Sequence, residues 1–183
     1  TVNSLSAKGG GAEKILSIVS NELSFKNKYE ISVITFDKPN QKLFYNFSPK
    51  INIYKLGNYE FFANKIFKNI NRTLVLMFYL FKLKPKVSFG FMHSNYINLT
   101  IASIVSNSRI VACEHIVPEH YRNRIWEFIL IKLTSKVFHR ITVVSKQAKK
   151  LFPKDLQKKM VVINNVVESI NKIKAKKVKK NKT

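Results

Sequence analysis

The 183-residue chain (21.2 kDa) is 45% hydrophobic, enough for one domain of ordinary size with a true core. Its 33 Lys and Arg against 10 Asp and Glu give a formal net charge of +23, which points to anionic partners: phosphorylated substrates, nucleic acid or an acidic membrane surface. A lone cysteine, Cys113, excludes an internal disulfide, no Cys/His spacing suggests zinc, and the longest apolar run (74–81) is far short of the roughly 20 residues of a membrane span.

Residues 1–6, "TVNSLS", read as the end of a strand whose start is missing, and nothing in them has the basic start and apolar run of a secretory leader. Three of the five glycines, Gly9, Gly10 and Gly11, follow as a corner, and a helix is predicted over 11–26. Strands are predicted at 29–36, 51–56, 86–91, 109–115, 140–145 and 160–164, with helices at 59–84, 95–106, 121–138 and 146–152. This alternation predicts an α/β fold, a Rossmann-like parallel sheet with helices on both faces. Ligands of such sheets bind beyond the carboxyl ends of the strands. The predicted domain covers 1–167. Residues 168–183 are expected to be a Lys-rich linker or disordered tail, with seven lysines and no acid after position 170.

The glycine corner admits two readings. Glycine lets an anion approach the free amides at a helix N-terminus, which suits phosphate; alternatively it is a tight turn, with Glu13 favourably placed in the first helical turn. "GGGAE" matches neither the dinucleotide-binding fingerprint nor a P-loop.

In the 59–84 segment Phe62, Ile66, Ile70, Leu74, Met77 and Phe81 recur at helical spacing, a stripe expected to pack on the sheet. Lys65, Lys68 and Arg72 fall opposite, placed for anionic lipid or a pyrophosphate. Arg122 and Arg124 stand at a helix start, where the dipole disfavours cations unless an external anion compensates. Trp126, the only tryptophan, is expected in the core rather than at an interface.

"GGAEKIL", "EISVITF", "VSFGFMHSNYI", "CEH", "ITVVS", "LFP" and "VVINNVV", in this order and with ordinary spacing, resemble the N-terminal half of a glycosyltransferase family 4 enzyme of the bacterial surface-polysaccharide or lipid-linked glycan type. The resemblance implies one half of a GT-B fold, in which sugar passes from a nucleotide donor to an acceptor with retention and no bound metal or other cofactor. It implies that Gly10 and Gly11 approach the donor diphosphate, and that the chain is a fragment lacking the donor-binding domain and is inactive alone. Catalytic roles fall to Glu114 and His115, where the E-H pair matches the family pattern; His93, Asn95 and Glu119 are candidates for acceptor contacts. Imidazole beside carboxylate holds sugar hydroxyls or moves a proton. His93 also has a structural reading, capping a turn while Ser94 or Asn95 caps the next helix. Metal binding is disfavoured because His115 and His120 do not share a helical face.

The partners implied are a nucleotide-sugar donor, a lipid-linked or saccharide acceptor and an anionic membrane surface, with the protein cytoplasmic and peripheral at the inner face of the plasma membrane. An alternative is a non-catalytic acceptor- or membrane-binding subunit of a split glycosyltransferase. A nucleic-acid binder is the weakest reading, because the aromatics follow core positions and offer no stacking platform among the basic residues.

Overall fold

In the computed structural model, residues 1–6, 10–26, 28–57 and 64–166 are described. Gly9, the start of the predicted 59–84 helix with Phe62, the Lys65 side chain and the 168–183 tail lie outside the described residues.

Among the described residues six strands form, all in parallel pairs. β1 (Ser32–Thr35) pairs with β2 (Asn52–Lys55), and β3 (Val87–Phe91), β4 (Arg109–Glu114), β5 (Arg140–Val143) and β6 (Met160–Val162) run side by side in that order. Residues 1–3 stitch the two groups together: Val2 N donates to Ile34 O, Phe36 N to Asn3 O, and Phe91 N to Thr1 O. Reading across gives β2, β1, residues 1–3, β3, β4, β5, β6. The chain therefore works outward first to one side and then to the other, and the crevice of such a doubly wound sheet opens where the order reverses, between residues 1–3 and β3.

Strand periodicity of two sends alternate side chains to opposite faces. Val33, Val111 and Cys113 face α1 (Gly11–Phe25), whose Ala12 and Leu16 join that core, while its buried Ser17, Ser20 and Ser24 let the helix lie close. Ile34, Ile110, Ala112, Ile141 and Val143 face the other way. That side is covered by α2 (Lys65–Leu83), α3 (His93–Ala102) and α4 (Ile125–Thr134), with 3-10 turns at Ser103–Val105 and Pro118–Tyr121. Helices α5 (Lys146–Leu151) and α6 (Lys154–Gln157) complete the β5–β6 end. The expected α/β fold with helices on both faces is what forms; α6 was not anticipated.

Gly90 fixes the distance between α3 and the sheet. A Cβ there would lie 2.6 Å from Tyr96 Cα, so only glycine lets the helix backbone settle on β3.

Three packing expectations are overturned. Helix α2 is rotated: Leu76 (0% exposed) and Leu80 (3%) are buried, whereas Ile66, Ile70, Leu74 and Phe81 of the predicted core stripe are half or more exposed. The C-terminal half of α2, "LVLMFYLF", is apolar all round, so periodicity does not select one arc, and contact with α3 chooses it. Arg72, expected on a solvated basic face, turns inward instead, donating to Asn3 Oδ1 at 3.2 Å with its guanidinium 4.5 Å from the Phe36 ring centre. Trp126 is 76% exposed rather than in the core, because α4 buries only its Ile131 arc.

Candidate functional site

A shallow cavity of about 330 Å³ opens beyond the carboxyl ends of the strands. Gly10, Gly11 and Glu13 line one side from the start of α1; Met92, His115, Val144 and Asn165 enter from the loops after β3, β4, β5 and β6. The structure thus brings Gly10, Gly11 and His115 together at the topological switch point.

Each wall has a local cause. Gly10 caps α1 and has no side chain to spend on the first-turn amides, which therefore face the cavity mouth. The Glu13 carboxylate folds back over Gly10, its Oε2 2.3 Å from where a Gly10 Cβ would be. At Gly11 an added Cβ would meet nothing within 4 Å, so the fold supplies no steric reason for glycine there. Upstream of the corner, the buried Asp37 anchors the approach: Ser4 Oγ (2.5 Å), Leu5 N (2.6 Å) and Thr35 Oγ1 (2.6 Å) all donate to it. Burial alone would raise the Asp37 pKa, but these hydrogen bonds outweigh it and hold the carboxyl below its ordinary value.

Met92 makes the corner between β3 and α3 with φ 68° and ψ 149°, a region normally reserved for glycine and costing on the order of 1–3 kcal/mol. The turn is held from several sides. Met92 N donates to Cys113 O at 3.1 Å, and its own carbonyl accepts from Asn95 N and Tyr96 N. Asn95, a candidate for acceptor contact, is 2% exposed and gives its side-chain amide to Phe91 O at 2.7 Å, so it braces this corner from inside. Met92, not Ser94 or Asn95, occupies the N-cap position of α3, and His93 begins the helix.

Glu114 and His115 are neighbours with opposite surroundings. Glu114 points into the α3–α4 side and is 3% exposed. Tyr96 Oη (2.6 Å) and Tyr121 Oη (3.0 Å) donate to its Oε2, and Ile116 N (2.9 Å) donates to Oε1. Burial raises its pKa against the pull of these donors. The network continues outward, with Tyr121 Oη 3.2 Å from His93 Nδ1, His93 Nε2 3.1 Å from Glu127 Oε2, and Arg124 3.6 Å from the same oxygen. Burial lowers the pKa of His93, partly offset by the Glu127 charge. His115 points to the α1 side, its ring stacked on Phe91 at 5.7 Å and 18°. Burial lowers its pKa too, opposed by the Glu13 charge, so at neutral pH the ring is neutral and both donates and accepts hydrogen bonds.

The remaining predicted residues are not gathered at the cavity. Glu119, Arg122 and Arg124 lie exposed around the Pro118–Tyr121 turn, Arg124 held by Glu127, and Lys68 is partly exposed on α2. Cys113 is buried, and burial pushes its thiol up to about 11, as an inert strand residue. Among the described residues no cluster of three or more His, Cys, Asp or Glu is arranged to hold a metal ion, and no helix is long and apolar enough to cross a membrane. Tyr96, Tyr121, Glu127, Asp37 and Met92 escaped the sequence reading. Only the tyrosines carried a signal, since a buried Glu calls for hydroxyl or amide donors on whichever elements cover it.

No known family profile and no curated protein matches the chain. Among solved structures it is similar to the lipopolysaccharide outer core galactosyltransferase WaaB in its apo form, with 11% identity and a TM-score of 0.66 over 91% of this chain and 45% of that one. It is also similar to the UDP-GlcNAc 2-epimerase from Methanocaldococcus jannaschii, with 12% identity and a TM-score of 0.50 over 82% of this chain and 42% of that one. The chain thus spans less than half the length of each. These likenesses show the fold, a Rossmann-like unit matching one half of a GT-B enzyme.

Proposed function

We propose that the chain is the acceptor-side half of a retaining glycosyltransferase, moving a sugar from a nucleotide-sugar donor to a lipid-linked or polysaccharide acceptor at the cytoplasmic face of the plasma membrane. The donor nucleotide is held by a second lobe, in the same protein or in a partner chain.

Gly11 is the observation that carries this reading. Gly11 opens α1, where alanine would restrict the unfolded chain more and stabilise the fold by about 0.4–1 kcal/mol, yet nothing in the fold fills the space its side chain would take. What accounts for glycine is a group arriving from outside. At the positive end of α1, over first-turn amides, a diphosphate is the anion that fits, and the shape of the fold supports it. Glu13 now covers part of this mouth and swings aside when the phosphates arrive.

Across the same cavity, neutral His115 is placed to accept a hydrogen bond from an acceptor hydroxyl and draw off its proton as that oxygen bonds to the sugar carbon and the nucleoside diphosphate leaves. Glu114, with both carboxylate oxygens engaged, acts as a positioning residue: it fixes Tyr96, Tyr121 and the loop that carries His115. His93, its two ring nitrogens turned to Tyr121 Oη and Glu127 Oε2, belongs to the same positioning network.

Gly11→Ala tests the reading because its two effects have opposite signs. Stability should rise by about 0.4–1 kcal/mol in urea unfolding, while affinity for a nucleoside diphosphate, measured by calorimetry, should fall about tenfold. Unchanged affinity in a more stable protein would sink the diphosphate site.

A further inference from the structure

The rotation of α2 leaves an apolar arc in solvent. Ile66, Phe67, Ile70, Leu74, Phe78 and Phe81 are each 50–67% exposed, and from Ile66 to Phe78 their four-residue steps sweep an arc of about 120°. The same helical layer repeats the feature. On α4, Ile125, Trp126 and Leu133 are 55–76% exposed, Val137 just beyond its end is 59% exposed, and in the Ser103–Val105 turn Ile104 is 84% exposed. Scattered apolar side chains on a surface need no explanation, but a series recurring on α2, the Ser103–Val105 turn and α4 of one helical layer does.

Charge indicates what covers it. From Glu60 to Glu114 the sequence has no acidic residue, whereas Lys82, Lys84 and Lys86 follow one another at the end of α2. Exposed Lys132 and Lys136 flank the α4 series, and the one acid within α4, Glu127, is engaged by His93 and Arg124. Lys84 and Lys86, with Phe81 and Val105, also line a cavity of about 350 Å³ between the end of α2 and the 3-10 turn. Apolar side chains rimmed by cations match a bilayer with anionic headgroups: the chains enter the acyl boundary while lysine stems lie along it and their ammonium groups meet phosphate. A soluble protein partner would have to supply an apolar face with acids at its rim; an anionic membrane supplies both everywhere.

We propose that the outer face of α2, the Ser103–Val105 turn and α4 is a membrane-insertion surface that seats the protein in one leaflet of an anionic bilayer, with Phe81 and Trp126 among the inserted side chains. The proposal rests on the sugar-transfer reading for its purpose, the delivery of a lipid-borne acceptor, though its evidence is separate. It also differs from the sequence expectation, in which cations alone made the contact through Lys65, Lys68 and Arg72.

Trp126 is a built-in reporter, as the chain has no other tryptophan. With phosphatidylglycerol-containing vesicles its emission should shift to the blue and be quenched by lipids brominated on the acyl chain. Both signals should persist, weakened, at roughly 1 M salt, where electrostatic screening acts over about 3 Å. The paired change Leu74→Glu with Phe78→Glu should lower vesicle partitioning at least about tenfold without altering the melting temperature, since both side chains are mostly exposed. Leu133→Glu should do the same from α4. Overturning results are an unshifted, unquenched Trp126, binding that vanishes completely with salt, or a protein that ignores vesicles and instead forms a dimer abolished by these changes. Insertion by a protein that binds no nucleoside diphosphate would sink the sugar-transfer reading and leave this surface standing.

Discussion

Glu114 and His115 are consecutive residues at the end of one strand, and their surroundings differ in kind. Around Glu114 both carboxylate oxygens are engaged and the side chain is sealed under α3 and α4; around His115 the space is open and shared with glycines. A strand that alternates its side chains divides an adjacent acid and imidazole between two faces, so proximity in sequence is not proximity in a site. The closed side fixes the loop, and the open side is left free for chemistry.

Substitution should show this contrast most sharply. Glu114→Ala leaves two buried tyrosine hydroxyls and an amide without their acceptor, and should cost about 3–5 kcal/mol in urea unfolding; Glu114→Gln, which keeps an acceptor oxygen, should cost less. His115→Ala should cost under about 1 kcal/mol yet lower sugar transfer, assayed with the donor-binding lobe present, about 100-fold. Equal destabilisation by the two alanine changes would erase the distinction drawn between the faces.

Acidity sharpens the same comparison with a smaller effect. Burial holds His93 and His115 below their ordinary pKa, so between those lowered values and about pH 6.5 the unfolded chain binds more protons than the folded one, and stability falls on acidification. Burial of Glu114 works in the opposite sense: its raised pKa means the folded protein takes up a proton more readily, which offsets part of the loss. Melting temperatures measured from pH 7.5 down to about 4.5, the ordinary carboxyl range, should therefore fall more steeply in Glu114→Gln than in the unmodified protein. A shallower fall in the variant would mean that the carboxyl is not held as described.

Much of this was legible in the chain and some was not, for physical reasons. Every strand was visible as a β-branched or aromatic run, and their alternation with helices pointed to a parallel sheet covered on both faces; the strand order was not legible, since it rests on which strands residues 1–3 pair with. The Gly10–Gly11 corner stood out because glycine is scarce. Its relation to His115 rests on the general rule that loops beyond strand ends converge. The orientation of α2 was illegible because Leu74 to Phe81 are apolar on every side, leaving tertiary contact to decide which residues are buried. Glu114 was singled out as catalytic, but its sealed setting was illegible for a different reason: its partners Tyr96 and Tyr121 come from other elements, and no local pattern joins them. Met92 gave no sign of its backbone conformation, since a non-glycine residue there is tolerated only through bonds to Cys113, Asn95 and Tyr96.

Amide NMR during titration with a nucleoside diphosphate, and in parallel with the nucleoside alone, tests the diphosphate cradle most directly. The diphosphate should move the resonances of Gly10, Gly11, Ala12 and Glu13 together with the His115 ring, the nucleoside should not, and Gly11→Ala should suppress the response. Shifts spread over surface lysines, with the α1 corner silent, would contradict the account.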